Sequence, residues 1–308
     1  MKILIVANHN TGTFTPFIIE QVDAIRQLGV EFEFFGVHGK GIIGYLSNLK
    51  ALKAKIREFH PDLIHAHYGL SGLLANLQRK IPVVTTYHGS DIHAGGRALF
   101  FSRLSIRMSA YNIFVSNMLM RQSGYNGKKK SVIPCGVNID TFHPIDRQIA
   151  KKELGWSEDK KQVLFSGSFN NAVKNSPLAK AATSLVEGAQ LMELRGYTRE
   201  QVNFAMNAAN CLLLTSHREG SPQVIKEAMC CGTPVVTVRV GDVEETTEGV
   251  DGCYVTTYDA NELAECLRKA LSFQGKTNGR KHIIDNGLSN ELVAEKVKGI
   301  YELVLNKK

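Results

Sequence analysis

The chain has 308 residues, of which 44% are hydrophobic and 21% charged, with a formal net charge of +8. That composition is close to the average of a soluble globular protein, and the length allows one large or two medium domains. No stretch approaches the roughly 18 uncharged apolar residues of a membrane-spanning helix.

The N-terminal run Met1–Asn8 has only a short apolar core. It reads as a first buried strand, Lys2–Ala7, and not as a signal peptide, whose apolar region needs about 7–15 residues. In Pro16–Leu28, Phe17, Ile18, Val22, Ile25 and Leu28 recur at helical spacing, and Gly29 stops the helix. Strands are expected at Phe32–Val37 and Leu63–His67. Between them, Leu46–Phe59 sets Leu46, Leu49, Leu52, Ile56 and Phe59 on one helical face, and Pro61 ends it. Strands Val83–Tyr87, Ile113–Ser116 and Ser131–Ile133 complete the first half.

A boundary is expected near residues 140–160, a polar stretch containing His143-Pro144. The pattern then restarts. Strands are expected at Val163–Ser166, Leu191–Leu194, Cys211–Thr215, Val235–Val238 and Cys253–Thr256. Helices are expected at Pro177–Val186, Arg199–Ala208, Pro222–Cys231, Asn261–Leu271 and Asn290–Asn306. Continuous apolar strands alternating with helices indicate parallel sheets covered on both faces. The fold class is therefore α/β, with two Rossmann-like doubly wound domains at 1–145 and 146–308 around a central cleft. The C-terminal helix is a candidate to pack back on the first domain. Ligands in such sheets sit at the carboxyl ends of strands.

The charge is unevenly spread. Residues 1–145 hold 16 Lys/Arg against 8 Asp/Glu, and residues 146–308 hold 21 of each. The basic first half favours an anionic partner, whether nucleic acid, a phosphorylated ligand or an acidic lipid, unless it is simply a solvated face. The six cysteines form no Cys-x-x-Cys pair and mostly lie in apolar runs. They read as reduced core thiols of a cytoplasmic protein.

The segment Ser216-His217-Arg218-Glu219-Gly220-Ser221-Pro222 follows a buried strand and opens a helix. Pro222 suits a first helical turn. Gly220 and Ser221 leave amides at a helix N-terminus, a favourable place for a polar or anionic ligand. Glu219 and Glu227 offer carboxylates that accept hydrogen bonds from sugar hydroxyls. Two glutamates at that spacing are ordinarily solvated helix charges, and it is the surrounding sequence that singles them out. After Glu227 come Ala228-Met229-Cys230-Cys231-Gly232-Thr233-Pro234-Val235-Val236.

With these residues the chain resembles the retaining glycosyltransferase family 4, of the GT-B fold. The resemblance also rests on Ile133-Pro134-Cys135-Gly136-Val137-Asn138-Ile139-Asp140-Thr141-Phe142-His143-Pro144, and it covers nearly the whole chain. It implies that Glu219 and the segment Gly220, Ser221, Pro222, Gln223 and Val224 hold the donor sugar, and that Glu227 binds the nucleotide ribose. Lys174, after the strand and glycine loop containing Gly167, is the expected cation for the diphosphate leaving group. The similar family motif carries an arginine after the glycine, where this chain has Ser168. Asn170, Asn171, Arg195, Arg199 and Arg218 are the candidates to complete the clamp. Only one helix and one strand fit between Lys174 and Gly196, which points to a trimmed second domain and an altered base pocket near Arg195, Gly196 and Tyr197.

Three loops end first-domain strands. The first, with Gly12 and Thr13, is implied by the resemblance to approach the donor phosphates and the acceptor, although an ordinary turn accounts for Gly12 equally well. His65 and His67 could bind metal, but no carboxylate or cysteine joins them in a motif. A wall of the acceptor cleft or core histidines is the better reading, and no metal is expected. Tyr87-His88-Gly89-Ser90-Asp91 is similar to a family His-Gly-x-Asp whose histidine faces the donor sugar. His88, Glu219 and Lys174 are thus the catalytic candidates, with Thr13, His67 and Asp91 on the acceptor side.

The resemblance implies transfer from a UDP- or GDP-sugar to a glycan or lipid-linked acceptor in cell-surface polysaccharide synthesis. It implies a front-face retaining route with no cofactor or bound metal, in which catalysis is positioning and charge stabilisation. Arg97, Arg103 and Arg107, among Leu99, Phe100, Phe101, Leu104 and Ile106, form a basic amphipathic stretch suited either to helix packing or to peripheral contact with anionic lipid at the inner face of the cytoplasmic membrane. The alternatives are a sugar-nucleotide epimerase on the same architecture and a basic nucleic-acid-binding protein. The second has no recognisable motif, and no nucleic-acid partner is expected.

Overall fold

The structure is a computed structural model that describes residues 1–93 and 95–306. It divides into two compact units, residues 1–136 with 290–308, and residues 137–289.

The first unit runs β1 (Lys2–Asn8), α1 (Pro16–Arg26), β2 (Glu31–Val37), α2 (Gly41–Leu46), α3 (Leu49–Phe59), β3 (Leu63–His67), α4 (Gly69–Asn76), β4 (Val83–Tyr87), α5 (Ser90–His93), α6 (Gly96–Met108), β5 (Tyr111–Phe114), α7 (Asn117–Ser123) and β6 (Lys130–Val132). The second runs α8 (Arg147–Leu154), β7 (Lys161–Phe165), α9 (Ser176–Ser184), β8 (Ala189–Glu193), α10 (Arg199–Ala208), β9 (Cys211–Leu214), α11 (Gln223–Cys230), β10 (Val235–Val238), α12 (Val243–Thr247), β11 (Cys253–Thr256), α13 (Ala260–Ser272) and α14 (Gly279–Asp285). The last helix, α15 (Asn290–Leu305), belongs to the first unit.

Both sheets are parallel throughout. The first has the order β2-β1-β3-β4-β5-β6 and the second β11-β10-β9-β7-β8. Ile3 to Val6 in β1, all of β3 and β4, and Leu212 to Leu214 in β9 are buried, as central strands covered on both faces require. In each sheet the strand order reverses next to the first strand. The reversal lies between β1 and β3 in the first unit and between β7 and β9 in the second. Loops leaving the carboxyl ends of those strands diverge and leave a crevice.

Three features differ from the sequence expectation. The stretch 46–59 is not one helix: Asn48 bonds the His38 and Gly44 carbonyls with its side-chain amide, and this breaks the chain into α2 and α3. Helix α4 carries no strong helical signal because Gly69 and Gly72 lower its propensity. They are there for packing: a Cβ on either would lie 2.1 Å from Ser102 Oγ or 2.3 Å from Ser105 Oγ, both on α6. The unit boundary falls at residue 136 and not at 145. Val137 and Phe142 are fully buried in the second unit's core, and Arg280 donates to the carbonyls of Ile139 and Phe142.

Helix α15 packs its Val293, Ala294, Val297, Tyr301 and Val304 into the first unit's core beside Ile18, Val22 and Ile25 of α1. Its Tyr301 hydroxyl lies 2.6 Å from His65 Nδ1 of β3. No helix among the described residues is long and apolar enough to cross a membrane.

Candidate functional site

In the second unit the loops after β7 and β9 flank the strand reversal. The β7 loop leaves through Ser166 and Gly167 and closes in a 3-10 turn, Ala172–Lys174. It is clamped to the β9 loop: Thr215 Oγ1 donates to the carbonyls of Lys174 and Asn175, and the His217 amide donates to the Val173 carbonyl. Lys174 is thereby aimed at Glu219, with its Nζ 2.7 Å from Glu219 Oε1. Gly167 makes room for that side chain, since a Cβ there would approach the Lys174 stem to 3.2 Å.

Behind Glu219, Gly220 and Pro222 are buried, and Pro222 is the N-cap of α11. The positive end of the α11 dipole therefore points into the Glu219–Ser221 loop. Gln223 and Val224 form the first turn of α11. Gly241, at φ +64, presses against this loop, and a Cβ would meet the Gly220 carbonyl at 3.1 Å.

Glu227, one turn further along α11, is buried. Arg199 at the start of α10 donates to its Oε1 at 2.8 Å. The guanidinium lies 4.6 Å over the Phe142 ring, which adds cation–π attraction. A capping box between Thr198 and Gln201 fixes this end of α10. Arg199 is thus paired with Glu227.

Ser168 occupies that arginine's position, and its hydroxyl bonds the Glu193 carboxylate. The Phe169 amide donates to the same carboxylate at 2.6 Å, and these two bonds hold Glu193 below the usual carboxylate range. Asn170 is exposed and its amide donates to Ser168 Oγ. Arg195 and Gly196 are exposed, and Tyr197 packs half-buried against the core.

Sequence reasoning missed the support under the Glu219–Ser221 loop. Lys226 is fully buried, and its Nζ donates to Ser221 Oγ at 2.7 Å. Ser221 in turn bonds Asp242, whose carboxyl is pushed up by burial and pulled back by Lys226 and Ser221. A lysine inside a Glu-x7-Glu helix reads as a solvated charge. No local pattern separates Lys226 from an exposed lysine, and its burial is a product of the fold.

In the first unit, Gly12 and Thr13 are exposed on the turn after β1, and Gly12 adopts φ +80. His65 and His67 of β3 are fully buried. His65 Nε2 lies 2.8 Å from Thr86 Oγ1, and His67 Nδ1 lies 3.0 Å from His88 Nε2. His88 Nδ1 faces Cys135 Sγ at 3.7 Å. The His67 and His88 rings stack at 5.2 Å. Burial drives all three imidazoles to the neutral form: His67 falls to about 3, and His65 and His88, which also feel neighbouring rings, fall well below 6.5. No group of three or more metal-ligating side chains placed to hold an ion occurs among the described residues.

His67 Nε2 is buried with no hydrogen-bond partner among the described residues. An orphaned acceptor is less costly than an orphaned N–H. The proton therefore belongs on His67 Nδ1, donated to His88 Nε2, and His88 carries its own on Nδ1 toward Cys135. Both nitrogens of His88 face protein groups.

Asp91 is the second residue of α5, and its carboxylate accepts from the amides of Gly69 and Gly89 at 3.1 and 2.9 Å. Burial raises it to about 6 against the pull of these amides. It also lines a cavity of about 380 Å³ with Asn8, Thr15, Tyr45, Tyr68, Leu70, Ser90, Ala98 and Ser102. Tyr45 and Tyr68 were not evident as site residues. Tyr68 follows β3 directly, and its positive φ of 72 was unreadable from sequence.

A model of the family described as Glycosyltransferase Family 4 matches residues 9–141, and one described as Glycosyl transferases group 1 matches residues 157–272. The chain is 24% identical over 249 residues to a protein of Bacillus subtilis (strain 168) assigned to teichuronic acid biosynthesis as the glycosyltransferase TuaC, an alignment covering 72% of this chain and 64% of that one. The chain spans less than two thirds of the length of the first curated relatives it matches. Among solved structures, the sucrose-phosphate synthase of Thermosynechococcus elongatus superposes with a TM-score of 0.86 at 18% identity, covering 100% of both chains. Anabaena Alr3699/HepE in complex with UDP and glucose superposes with a TM-score of 0.77 at 18% identity, covering 98% of this chain and 99% of that one. These likenesses establish the two-unit GT-B fold. With its strand order, its Glu-x7-Glu segment and both family matches, the chain belongs to the family 4, group 1 glycosyltransferases.

Proposed function

We propose that this chain is a retaining glycosyltransferase that moves a hexose from a UDP- or GDP-sugar to a glycan or lipid-linked acceptor in cell-surface polysaccharide synthesis. The observation that carries the reading is the convergence of Lys174, Glu219 and the N-terminus of α11 at the strand reversal of the second unit. An exchangeable cation, a carboxylate and a helix dipole at one crevice suit a sugar diphosphate. Lys174 would move from Glu219 to the departing diphosphate, and Glu219 would then accept from sugar hydroxyls. Glu227, oriented by Arg199, would take the ribose. The UDP complex of the Anabaena protein favours this donor class, and the TuaC relative favours a role in polysaccharide synthesis.

His88 serves in this reading as neither acid nor base, because its ring nitrogens are occupied and it stays neutral. The proton of the acceptor hydroxyl goes to the leaving phosphate, which departs on the same face. No metal takes part, and turnover should survive EDTA. Helix α6, with Phe100 and Leu104 exposed beside its arginines, would rest on an anionic membrane. Sedimentation with phosphatidylglycerol but not phosphatidylcholine vesicles tests that contact.

The central experiment incubates the protein with UDP-, GDP- and ADP-sugars, with and without acceptors, and follows the anomeric signals by NMR. Retained configuration in a new glycoside is expected. Inversion would remove the retaining mechanism. An epimerised nucleotide sugar formed without acceptor would replace transfer by epimerisation.

A further inference from the structure

The cavity of the first unit lies at the other strand reversal. Asn8 ends β1, Tyr68 follows β3, and Ser90 and Asp91 follow β4, so its floor is built from strand ends around the β1/β3 crevice. Its walls combine two tyrosines with side-chain amide and hydroxyl groups. Asn8 Nδ2 donates to the Tyr45 hydroxyl at 2.8 Å, which leaves the phenol proton to donate onward. Tyr68 is held at φ 72, an uncommon conformation for a bulky residue, and its ring lies 4.7 Å from that of His88. The volume of about 380 Å³ is at the small end of ligand pockets, which run to about 1,000 Å³.

The charge of the lining is as informative as its shape. Residues 1–145 hold 16 Lys and Arg, yet among the described residues none of them lines this cavity. Arg103 and Arg107 line a separate notch with Ser123 and Tyr125. Among the described lining residues the one charged group is Asp91, and it is an acid. A phosphate placed here would face a buried carboxylate with no cation of the lining to offset it, and burying an unpaired charge is costly. A sugar or polyol ring meets no such penalty. Its C–H face lies against tyrosine rings, and its hydroxyls pair with Asn8, the two phenols, Ser90 and the remaining lone pairs of Asp91.

In the acceptor role that the family resemblance already implies for these loops, we propose that this cavity selects an uncharged, hydroxyl-rich ring, a neutral glycoside or polyol, over its phosphorylated counterpart. The inference rests on the transferase reading for the word acceptor, but its chemistry belongs to the first unit alone.

The test is direct binding by calorimetry in the presence of saturating UDP or GDP, whichever binds. The probes are neutral p-nitrophenyl gluco-, galacto- and mannopyranosides and myo-inositol, against glucose 6-phosphate, mannose 6-phosphate and myo-inositol 1-phosphate. At least one neutral ring should bind tenfold or more tightly than any phosphorylated one. Ala98→Trp, which fills the cavity from the half-buried face of α6, should abolish that binding and leave nucleotide affinity unchanged. Tyr45→Phe, which removes one hydroxyl and keeps the ring, should weaken it several-fold. Preference for a phosphorylated ring overturns the proposal. So does nucleotide binding with no neutral ring bound, or neutral-ring binding indifferent to both variants. Failure of every nucleotide to bind would instead strike the transferase reading itself.

Discussion

Lys174 Nζ and Glu219 Oε1 lie 2.7 Å apart although 45 residues separate them. Their loops leave β7 and β9, the strands on either side of the reversal in the second sheet. The pair is only partly shielded, with side chains 21% and 16% exposed. An anion entering this crevice would compete with Glu219 for the Lys174 ammonium.

Lys174→Met keeps the stem against Gly167 and removes the charge. Charge-assisted hydrogen bonds contribute about 1.5–3 kcal/mol, so nucleoside diphosphate affinity should fall about 10- to 100-fold by calorimetry. Glu219→Gln should leave that affinity near wild type and lower transfer. Equal nucleotide affinity in Lys174→Met would show that the cation does not meet the phosphates.

Arg199 and Glu227 respond differently, because Glu227 has a side chain only 6% exposed. Arg199→Met keeps apolar contact with Phe142 and takes away the guanidinium. Loss of that charged bond should cost about 1.5–3 kcal/mol of stability in urea denaturation. Arg199→Lys should recover part of it, since a lysine supplies a point charge without the planar fork. An unchanged midpoint in Arg199→Met would mean that the pair contributes nothing to folding.

Much of this arrangement could be read in the chain before folding. The continuous apolar strands gave away parallel sheets, and Glu219, Lys174 and Gly167 stand where strand ends meet loops. What pairs with what was not legible. Arg199 and Glu227 are brought together by the order β7-β9-β10, which no local pattern encodes. Lys226 carries no sequence signal of burial, yet it is fully buried and bonded to Ser221. The polar stretch after residue 140 suggested a linker, yet Phe142 within it is a core residue and the crossing comes earlier. Tyr45 was hidden because α2, which carries it, lies before the helix expected at Leu46–Phe59.

The buried histidines make stability depend on pH. Each has a folded pKa below the ordinary 6.5, so its contribution is fully present above that value and is lost as pH falls, through about 3 for His67. Asp91 acts oppositely: raised to about 6, its contribution is present below 3.8 and is lost as pH rises through 6. Near pH 5 the lowered histidines make stability rise with pH, and the raised carboxyls of Asp91 and Asp242 oppose them. His67→Asn removes one of these protons and should flatten the slope by about 1.4 kcal/mol per unit. Urea midpoints between pH 4.5 and 7.5 check this, and an unaltered slope would mean that His67 titrates normally in the fold.

Ser168 poses the last question, because a single change restores the arginine of the similar family motif. Ser168→Arg alone should raise nucleoside diphosphate affinity little. The new guanidinium would enter beside Glu193, which already bonds Ser168 and the Phe169 amide. A bidentate arginine–carboxylate pair would hold it there, away from the diphosphate. Glu193→Gln keeps an acceptor for the Phe169 amide and removes the competing charge. The double variant Ser168→Arg with Glu193→Gln should therefore bind UDP or GDP about tenfold more tightly than either single variant, the effect of one further charged contact of roughly 1.4 kcal/mol. A gain from Ser168→Arg alone equal to that of the double variant would show that Glu193 does not capture the arginine. Loss of affinity in both would mean that the crevice has closed around serine and has no room for a second cation.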